Sequence, residues 1–146
     1  MPRADAIDDS WPADAAAIAR IETACLAVVA GKLAVRELGR WAAAAGISES
    51  ELRLLWQLFL TNRPAADQRR QLLDQAELAV RLSLSPAQVS SLVERLRGRA
   101  LIAPADPDRD RRRQLWQLTE MGWARLAQAI AAVGAPQHTA VGKGAA

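Results

Sequence analysis

Three helix starts stand out between residues 48 and 88 of this 146-residue chain. Each is a capping box, in which a Ser or Asp side chain accepts a hydrogen bond from the backbone N–H three residues later, while a Glu or Gln at that later position reaches back to the first backbone N–H. The pairs are Ser48 with Glu51, Asp74 with Glu77, and Ser85 with Gln88. Because a box fixes where a helix begins, this interval must hold three helices joined by short connections.

Two further helices flank the interval. Apolar residues at helical spacing predict a long helix over 14–45, ended by Gly46, and a C-terminal helix over 119–133. Thr119 shows only half of the capping signature, because Gly122 occupies the position of the returning Glu or Gln. The 14–45 helix is apolar on two sides, so we expect it to bury one side in its own domain and the other in a partner.

A short β-hairpin is expected before the last helix. Residues 100–102 and 114–118 are predicted to form its two strands. The short helix from Asp74, the turn 83–85 and the helix that follows form a helix-turn-helix. A helix-turn-helix followed by a hairpin is a winged helix, so the expected fold class is mainly α with a small β-hairpin wing and with flanking dimerisation helices.

The chain is expected to divide into five segments. They are a flexible acidic tail (1–13), the dimerisation helix (14–45), the winged helix-turn-helix (48–118), the C-terminal helix (119–133) and a flexible tail (134–146). No apolar run is long enough for a membrane span, no export signal precedes the helices, and a single cysteine is compatible with a reducing compartment, so we expect a cytoplasmic protein without membrane contact.

Positive charge is concentrated in one part of the chain. Residues 81–113 contain eight arginines against four acidic residues, whereas the first 14 residues are acidic. A basic region of this kind is typical of a protein that binds a polyanion, although a solvated basic face without a partner has the same composition.

The segment from 74 to 102, followed by Asp110-Arg111-Arg112 and by Leu118-Thr119 eight and nine residues after that aspartate, resembles the winged-helix regulators of the multiple-antibiotic-resistance (MarR) family. The resemblance covers roughly residues 14–133. It implies a homodimer that binds palindromic promoter DNA, usually as a repressor, and that a small-molecule inducer or an oxidant releases.

The sequence departs from the family pattern in three places. Ala100 replaces a usual glycine, so a less sharply turned entry to the hairpin is expected, and Pro104 replaces a common arginine. Relatives continue into a further dimerising helix beyond the position where this chain ends, so we expect easier exchange between monomer and dimer.

The candidate DNA-binding residues lie on the recognition helix (85–97) and on the wing (103–114). Val89, Leu92, Val93 and Leu96 are expected to face inward, which leaves the N-terminal outward residues for base edges in the major groove. Gln88 could pair with adenine and Arg95 with guanine or phosphate, while Glu94 could accept from cytosine or repel phosphate. The full set is Ser85, Ala87, Gln88, Ser90, Ser91, Arg95, Arg109, Asp110, Arg111, Arg112 and Arg113.

The wing mixes acids with arginines, and we expect the acids to position them. Residues two apart in a hairpin arm point to the same side, so Asp110 could hold the Arg112 guanidinium toward the minor groove or its phosphates. Arg111 and Arg113 would project the other way, and Asp106 would begin the turn.

The expected dimer interface combines apolar residues of the first and last helices. It comprises Ile18, Ile21, Cys25, Leu26, Val29, Leu33, Ile130 and Val133. Cys25 lies close to the position of the reactive cysteine in hydroperoxide-sensing relatives, but the chain has no tyrosine to support a thiolate, so a buried inert thiol is the preferred reading over a redox sensor.

No catalytic motif is present, and an enzyme is not expected. One histidine and one cysteine do not make a metal site, and no cofactor is expected. Trp56 and Trp123 are interpreted as core residues rather than as parts of an aromatic ligand pocket. The rival function is a winged helix used for protein–protein contact without DNA, which the arginine cluster argues against.

Overall fold

A computed structural model of the chain describes residues 14–62, 72–108 and 113–136. Its elements are α1 (Ala15–Ala44), α2 (Glu49–Asn62), α3 (Gln75–Leu82), α4 (Pro86–Gly98), β1 (Ile102–Pro104), β2 (Trp116–Leu118) and α5 (Glu120–Val133). None of the helices in these ranges has the length and apolar character needed to cross a membrane. The expected tail residues 1–13 and 137–146 lie outside the described residues.

The chain divides into two compact units, Met1–Arg36 and Glu37–Ala146. In the first unit, the described residues 14–36 form the N-terminal part of α1, and each of them is exposed. In the second unit, α2 lies at the centre of the core, where Leu54, Leu55 and Leu58 are fully buried. The winged helix therefore has a hydrophobic core of its own.

The three capping boxes are confirmed in full. At α2 the Glu51 backbone donates to Ser48 Oγ at 3.1 Å, and the Ser48 backbone donates to Glu51 Oε2 at 2.8 Å. The boxes of α3 and α4 make the same reciprocal pairs, at Asp74 with Glu77 and at Ser85 with Gln88. Each box satisfies two N–H groups that the first helical turn would leave without a partner.

The β-hairpin begins two residues later than expected. The sequence predicts residues 100 and 101 in the first strand, but Ala100 has φ +58° and forms a turn after α4. Its backbone N–H donates to the Arg97 carbonyl at 2.9 Å, and its carbonyl accepts the Thr119 hydroxyl at 2.6 Å. The expectation of a less sharply turned entry is therefore wrong, because these two bonds hold the alanine in the left-handed region that glycine usually occupies.

Two antiparallel strands make the wing, with Ile102 opposite Leu118 and Pro104 opposite Trp116. A single bridge adds Leu73, whose carbonyl accepts from the Trp116 backbone at 3.1 Å. Trp116 and Leu118 are buried, as expected from their shared face, whereas Gln114 lies before the strand and is half-buried.

Gly122 has a packing role at the start of α5. A β-carbon at this position would overlap the Leu101 carbonyl oxygen, which accepts from the Thr119 backbone at 3.2 Å. The Gly122 backbone in turn donates to Thr119 Oγ1 at 3.1 Å. The helix and the hairpin can therefore approach this closely only where no side chain intervenes.

Candidate nucleic-acid interface

Local hydrogen bonds and one long side chain hold the turn of the helix-turn-helix in place. Ser83 ends α3 in the left-handed conformation at φ 52°, and the Leu84 backbone donates to the Ala79 carbonyl at 3.1 Å. Ala79 is buried, as its expected role in close helix packing requires. From α2, Arg53 donates to the Leu82 carbonyl at 2.6 Å and so fixes the last turn of α3.

Helix α4 has the two faces that the sequence predicts. Its inward residues Val89, Leu92, Val93 and Leu96 are each at most 1% exposed, and they anchor the helix in the core. The opposite face is exposed, and its outward residues are Ala87, Gln88, Ser90, Ser91, Glu94 and Arg95. This face is available to a partner without any change in the packing of the helix.

The capping box limits what the first turn of α4 can contact. Gln88 Oε1 accepts from the Ser85 backbone at 2.9 Å, and Ser85 Oγ accepts from the Gln88 backbone at 3.2 Å. Paired recognition of adenine needs both the oxygen and the nitrogen of the Gln88 amide. In the free chain the amide nitrogen of Gln88 and the second lone pair of Oε1 remain for a base, and the box fixes the direction in which the amide points.

One ion pair neutralises part of the charge on the outward side of α4. Glu94 lies 3.8 Å from Arg97, and both side chains are more than half exposed. Within the described part of the chain, Arg95 has no ion-pair partner. Arg95 also lines a shallow groove beside α4, together with Ser50 at the start of α2 and Ser91. An exposed, unpaired guanidinium beside a groove is suited to an anionic partner.

Two arginines that were not among the predicted site residues bind carbonyls at the end of α1, and one of them also caps α4. Arg99, which caps this helix, donates to the Gly46 carbonyl at 2.8 Å and lies 3.4 Å from the buried Glu51 carboxylate. Arg125 of α5 donates to the Ala45 carbonyl at 2.9 Å. Cationic groups at these carbonyls suit the C-terminal end of α1. Through Arg99 the C-terminal end of α4 is also linked to the start of α2.

The wing is described only in part. Arg113 is exposed, and the Asp106 carboxylate accepts from the Asp108 backbone at 3.1 Å, which fits the expected turn. The predicted wing residues 109–112, with the pairing of Asp110 and Arg112, lie outside the described residues. That pairing stays a prediction.

The residues predicted for a dimer interface are exposed in the single chain. In the first unit these are Ile18, Ile21, Cys25, Leu26, Val29 and Leu33; in α5, Ile130 and Val133 are 49% and 53% exposed. The prediction of a buried Cys25 is therefore wrong for the described part of one chain, in which Cys25 is exposed.

An apolar cavity of about 620 Å³ lies between the end of α1, α2, α3 and α5. Trp41 and Trp56 line it, with Arg53 and Arg81 at its polar side. Trp56 stacks on Phe59 at 5.0 Å, and Phe59 meets the edge of Trp123 at 5.4 Å. Trp56 and Trp123 are each 40% exposed, so their assignment to the core is wrong.

Helical spacing gave a partial signal for this cavity. It correctly placed Trp56 on the same side of α2 as Leu52, but it could not show that the space opposite that side is only partly filled. The sequence did not predict the arginines at the cavity. Arg53 donates to a main-chain carbonyl, and every residue has such a carbonyl.

Comparisons with known proteins agree with this architecture. No family model matches the sequence, and no curated protein matches it. Among solved structures, wild-type MarR from E. coli in its apo form has a TM-score of 0.63 at 19% identity, covering 76% of this chain and 76% of that one. A mutant E. coli MarR complexed with operator DNA has a TM-score of 0.61 at 19% identity, covering 78% and 75%.

A third similar structure is RV1404 from Mycobacterium tuberculosis, with a TM-score of 0.58 at 24% identity, covering 78% of this chain and 72% of that one. At these identities the likeness is one of fold. The helix order, the helix-turn-helix and the two-stranded wing together give this chain the winged-helix fold of the MarR-family regulators.

Proposed function

We propose that this chain is a cytoplasmic, sequence-specific DNA-binding regulator that represses transcription by binding palindromic promoter DNA as a homodimer. The observation that carries the proposal is α4, a helix anchored on one face and held at both ends, whose other face is exposed. Rigid presentation of an exposed helix is what insertion into a major groove requires. The mutant MarR from E. coli with this fold was solved with operator DNA.

The contacts divide by chemistry. The first outward residues of α4, from Ala87 to Ser91, reach base edges, and the serines accept several bases. Arg95 contacts guanine or phosphate because no acidic neighbour occupies it among the described residues. On the wing, Arg113 and the arginines at 109, 111 and 112 bind phosphates or the minor groove, with Asp110 positioning Arg112.

Two substitutions that each add one negative charge test the interface. Ser91→Glu introduces a negative charge on the outward face of α4, and it should abolish the mobility shift of a promoter fragment from the chain's own upstream region. Gln128→Glu introduces the same charge on the exposed, polar side of α5 and should leave the shift intact. Equal effects of the two variants, or no retardation of any fragment by the native chain even at low salt, would favour the protein–protein module instead.

The cavity supports control by a small ligand. Arg53 lines it and also donates the bond that fixes the Leu82 carbonyl, while Arg81 has no ion-pair or hydrogen-bond partner in the described ranges. An aromatic carboxylic acid would place its ring between Trp41 and Trp56 and its acid group on these arginines. Competition for Arg53 would loosen the end of α3 and weaken DNA binding.

Tryptophan fluorescence measures this directly, because two tryptophans line the cavity. A panel of substituted benzoates should quench the emission and reduce the mobility shift in parallel. Arg81→Gln should weaken the quenching while preserving DNA binding without ligand. Quenching that is unchanged by Arg81→Gln would place the acids elsewhere and contradict the cavity assignment.

The homodimer is supported by the exposed apolar residues of α1. Contiguous apolar surface of this kind usually marks an interaction site on a soluble protein. Replacing Val29 and Leu33 with Asp should convert the protein to monomers in analytical ultracentrifugation. An unchanged sedimentation coefficient would mean that the interface lies elsewhere.

A further inference from the structure

One face of α1 in the first unit has large apolar residues that none of the described residues 14–36 covers. Seven large apolar side chains of this helical segment are about half or more exposed: Ile18, Ile21, Leu26, Val28, Val29, Leu33 and Val35. At 3.6 residues per turn, all of them except Val35 spread evenly about the line through Ile18, Cys25 and Val29. This line defines the centre of the face.

We propose that a second copy of this chain covers the face. The two α1 helices are antiparallel, and the two-fold axis between them crosses at the height of Ala27 along the helix. In this register Cys25 lies opposite the partner's Val29, and Ile21 lies opposite the partner's Leu33. The inference rests on the proposed homodimer and adds its orientation and register. Two-fold symmetry repeats each contact, as a closed dimer requires.

The charges on the same face select the antiparallel orientation. Glu22, Lys32 and Arg36 lie within the apolar face, all exposed. Parallel helices in register would place each of these charges opposite its own copy, which is repulsive. Antiparallel helices centred on Ala27 place Glu22 opposite the partner's Lys32, and symmetry supplies a second such pair.

The same charges select the register. Moving the centre by one residue in either direction places Glu22 opposite an alanine, Ala30 or Ala34, and both ion pairs are lost. In the proposed register Arg36 comes opposite the partner's Ile18, where its aliphatic stem can cover the apolar surface while its charge stays in water. Each charge on the face then has a compatible neighbour.

Disulfide cross-linking reads this register directly, because a disulfide forms only where the Cα atoms approach to about 7 Å or less. Facing positions of packed helices satisfy this limit. The two copies of Cys25 are offset by four residues, which is about 6 Å along the helix axes at 1.5 Å per residue, in addition to the spacing between helices. They should therefore not reach each other.

The expected outcome is asymmetric. Under mild oxidation, Val29→Cys should cross-link with the native Cys25 to a covalent dimer on a non-reducing gel. The native chain, with Cys25 alone, should stay uncross-linked, and so should Val29→Cys combined with Cys25→Ser. Cross-linking of the native chain would indicate parallel helices and overturn the proposal. No cross-linking of Val29→Cys in a protein that sediments as a dimer would overturn it as well.

A charge exchange provides an independent test. Glu22→Lys should raise the dimer dissociation constant about tenfold, because two exposed ion pairs become two repulsive contacts. Adding Lys32→Glu to it should restore the native value. The control is Arg20→Glu, on the opposite side of the helix, which should leave the constant unchanged. Failure of the double variant to recover would contradict the pairing.

These results are separable from the proposed function. A native chain that sediments only as a monomer would remove the homodimer itself, and the register with it. A dimer with the wrong cross-links would remove the register alone. The mobility shift of the same variants reports DNA binding separately in each case.

Discussion

Helix α4 and residues 15–36 of α1 both have apolar residues at helical spacing, yet among the described residues those of α4 are buried and those of residues 15–36 are exposed. In α4, Val89 and Leu92 are at most 1% exposed, whereas Ile21 and Leu33 of α1 are 66% and 54% exposed. Helix α4 meets α2 and the hairpin in one compact unit, whereas the described residues 14–36 of the other unit are all exposed. An apolar pattern therefore shows that a face will be covered, but not whether the cover belongs to the same chain.

The largest expected effect tests this contrast. Leu92→Ala should lower the free energy of unfolding by about 3 kcal/mol, within the usual 2–5 kcal/mol for a buried leucine. Leu33→Ala, at an exposed site, should cost only a few tenths of a kcal/mol at protein concentrations where the chain is a monomer. Its cost should grow as concentration rises, because dimerisation adds stability by mass action.

Urea unfolding at two protein concentrations measures both effects. Leu92→Ala should show the same loss at each concentration. An equally large loss for Leu33→Ala in the monomer would mean that α1 is covered within its own chain, and the contrast between the two regions would disappear.

The next effect concerns close packing in the self-contained unit. Gly122→Ala should cost about 2–3 kcal/mol in unfolding experiments, because its β-carbon would overlap the Leu101 carbonyl oxygen and force the helix from the hairpin. Gly98→Ala in α4 is the matched control, since nothing lies within 4 Å of an added β-carbon there. It should stabilise the protein by about 0.5–1 kcal/mol. A harmless Gly122→Ala would show that α5 can move away from the hairpin at little cost.

Local sequence signals predicted much of this unit. The starts of α2, α3 and α4 follow from capping boxes, whose partners are only three residues apart. The inward face of α4 follows from spacing alone. These features depend on neighbours in the sequence, so a single chain reveals them.

Features that depend on distant partners could not be predicted. Ala100 adopts a left-handed turn because the Thr119 hydroxyl, 19 residues later, donates to its carbonyl. Arg53 and Arg99 donate to main-chain carbonyls of Leu82 and Gly46, and a carbonyl has no sequence signature. The dimer and wing contacts remain predictions for the related reason that their partners lie outside the described chain.

Removal of the Arg99 contacts should have an intermediate effect. Arg99→Ala leaves the Glu51 carboxylate, only 5% exposed, without its cationic partner and the Gly46 carbonyl without its donor. The expected cost in unfolding is about 1–2 kcal/mol. Arg97→Ala is the control, because its ion pair with Glu94 is exposed and worth roughly 0–1 kcal/mol. If both variants lose the same small amount, the end of α4 does not depend on the core.

The smallest effect concerns the tip of the wing, which could resemble either region. If Asp110 holds Arg112 in position, the tip is completed within the chain, as α4 is. If it does not, the contacts of the tip depend on the DNA alone, as the apolar face of residues 15–36 depends on a second copy. In the first case Asp110→Ala frees a long side chain that must be ordered again on binding, which should weaken DNA binding by about 0.5–1.5 kcal/mol.

Charge counting predicts the opposite sign for the same substitution, because removal of an anion next to phosphate should tighten binding. An exposed ion pair without a positioning role predicts a change of no more than a few tenths of a kcal/mol. Promoter affinity of Asp110→Ala and Arg112→Ala at one fixed salt concentration distinguishes the three cases. With positioning, both variants bind more weakly, and the double variant binds no more weakly than Arg112→Ala alone, because Asp110 then acts only through that arginine. Tighter binding by Asp110→Ala would mean that Asp110 repels phosphate and does not position Arg112. The tip would then depend on a partner, as the apolar face of residues 15–36 does.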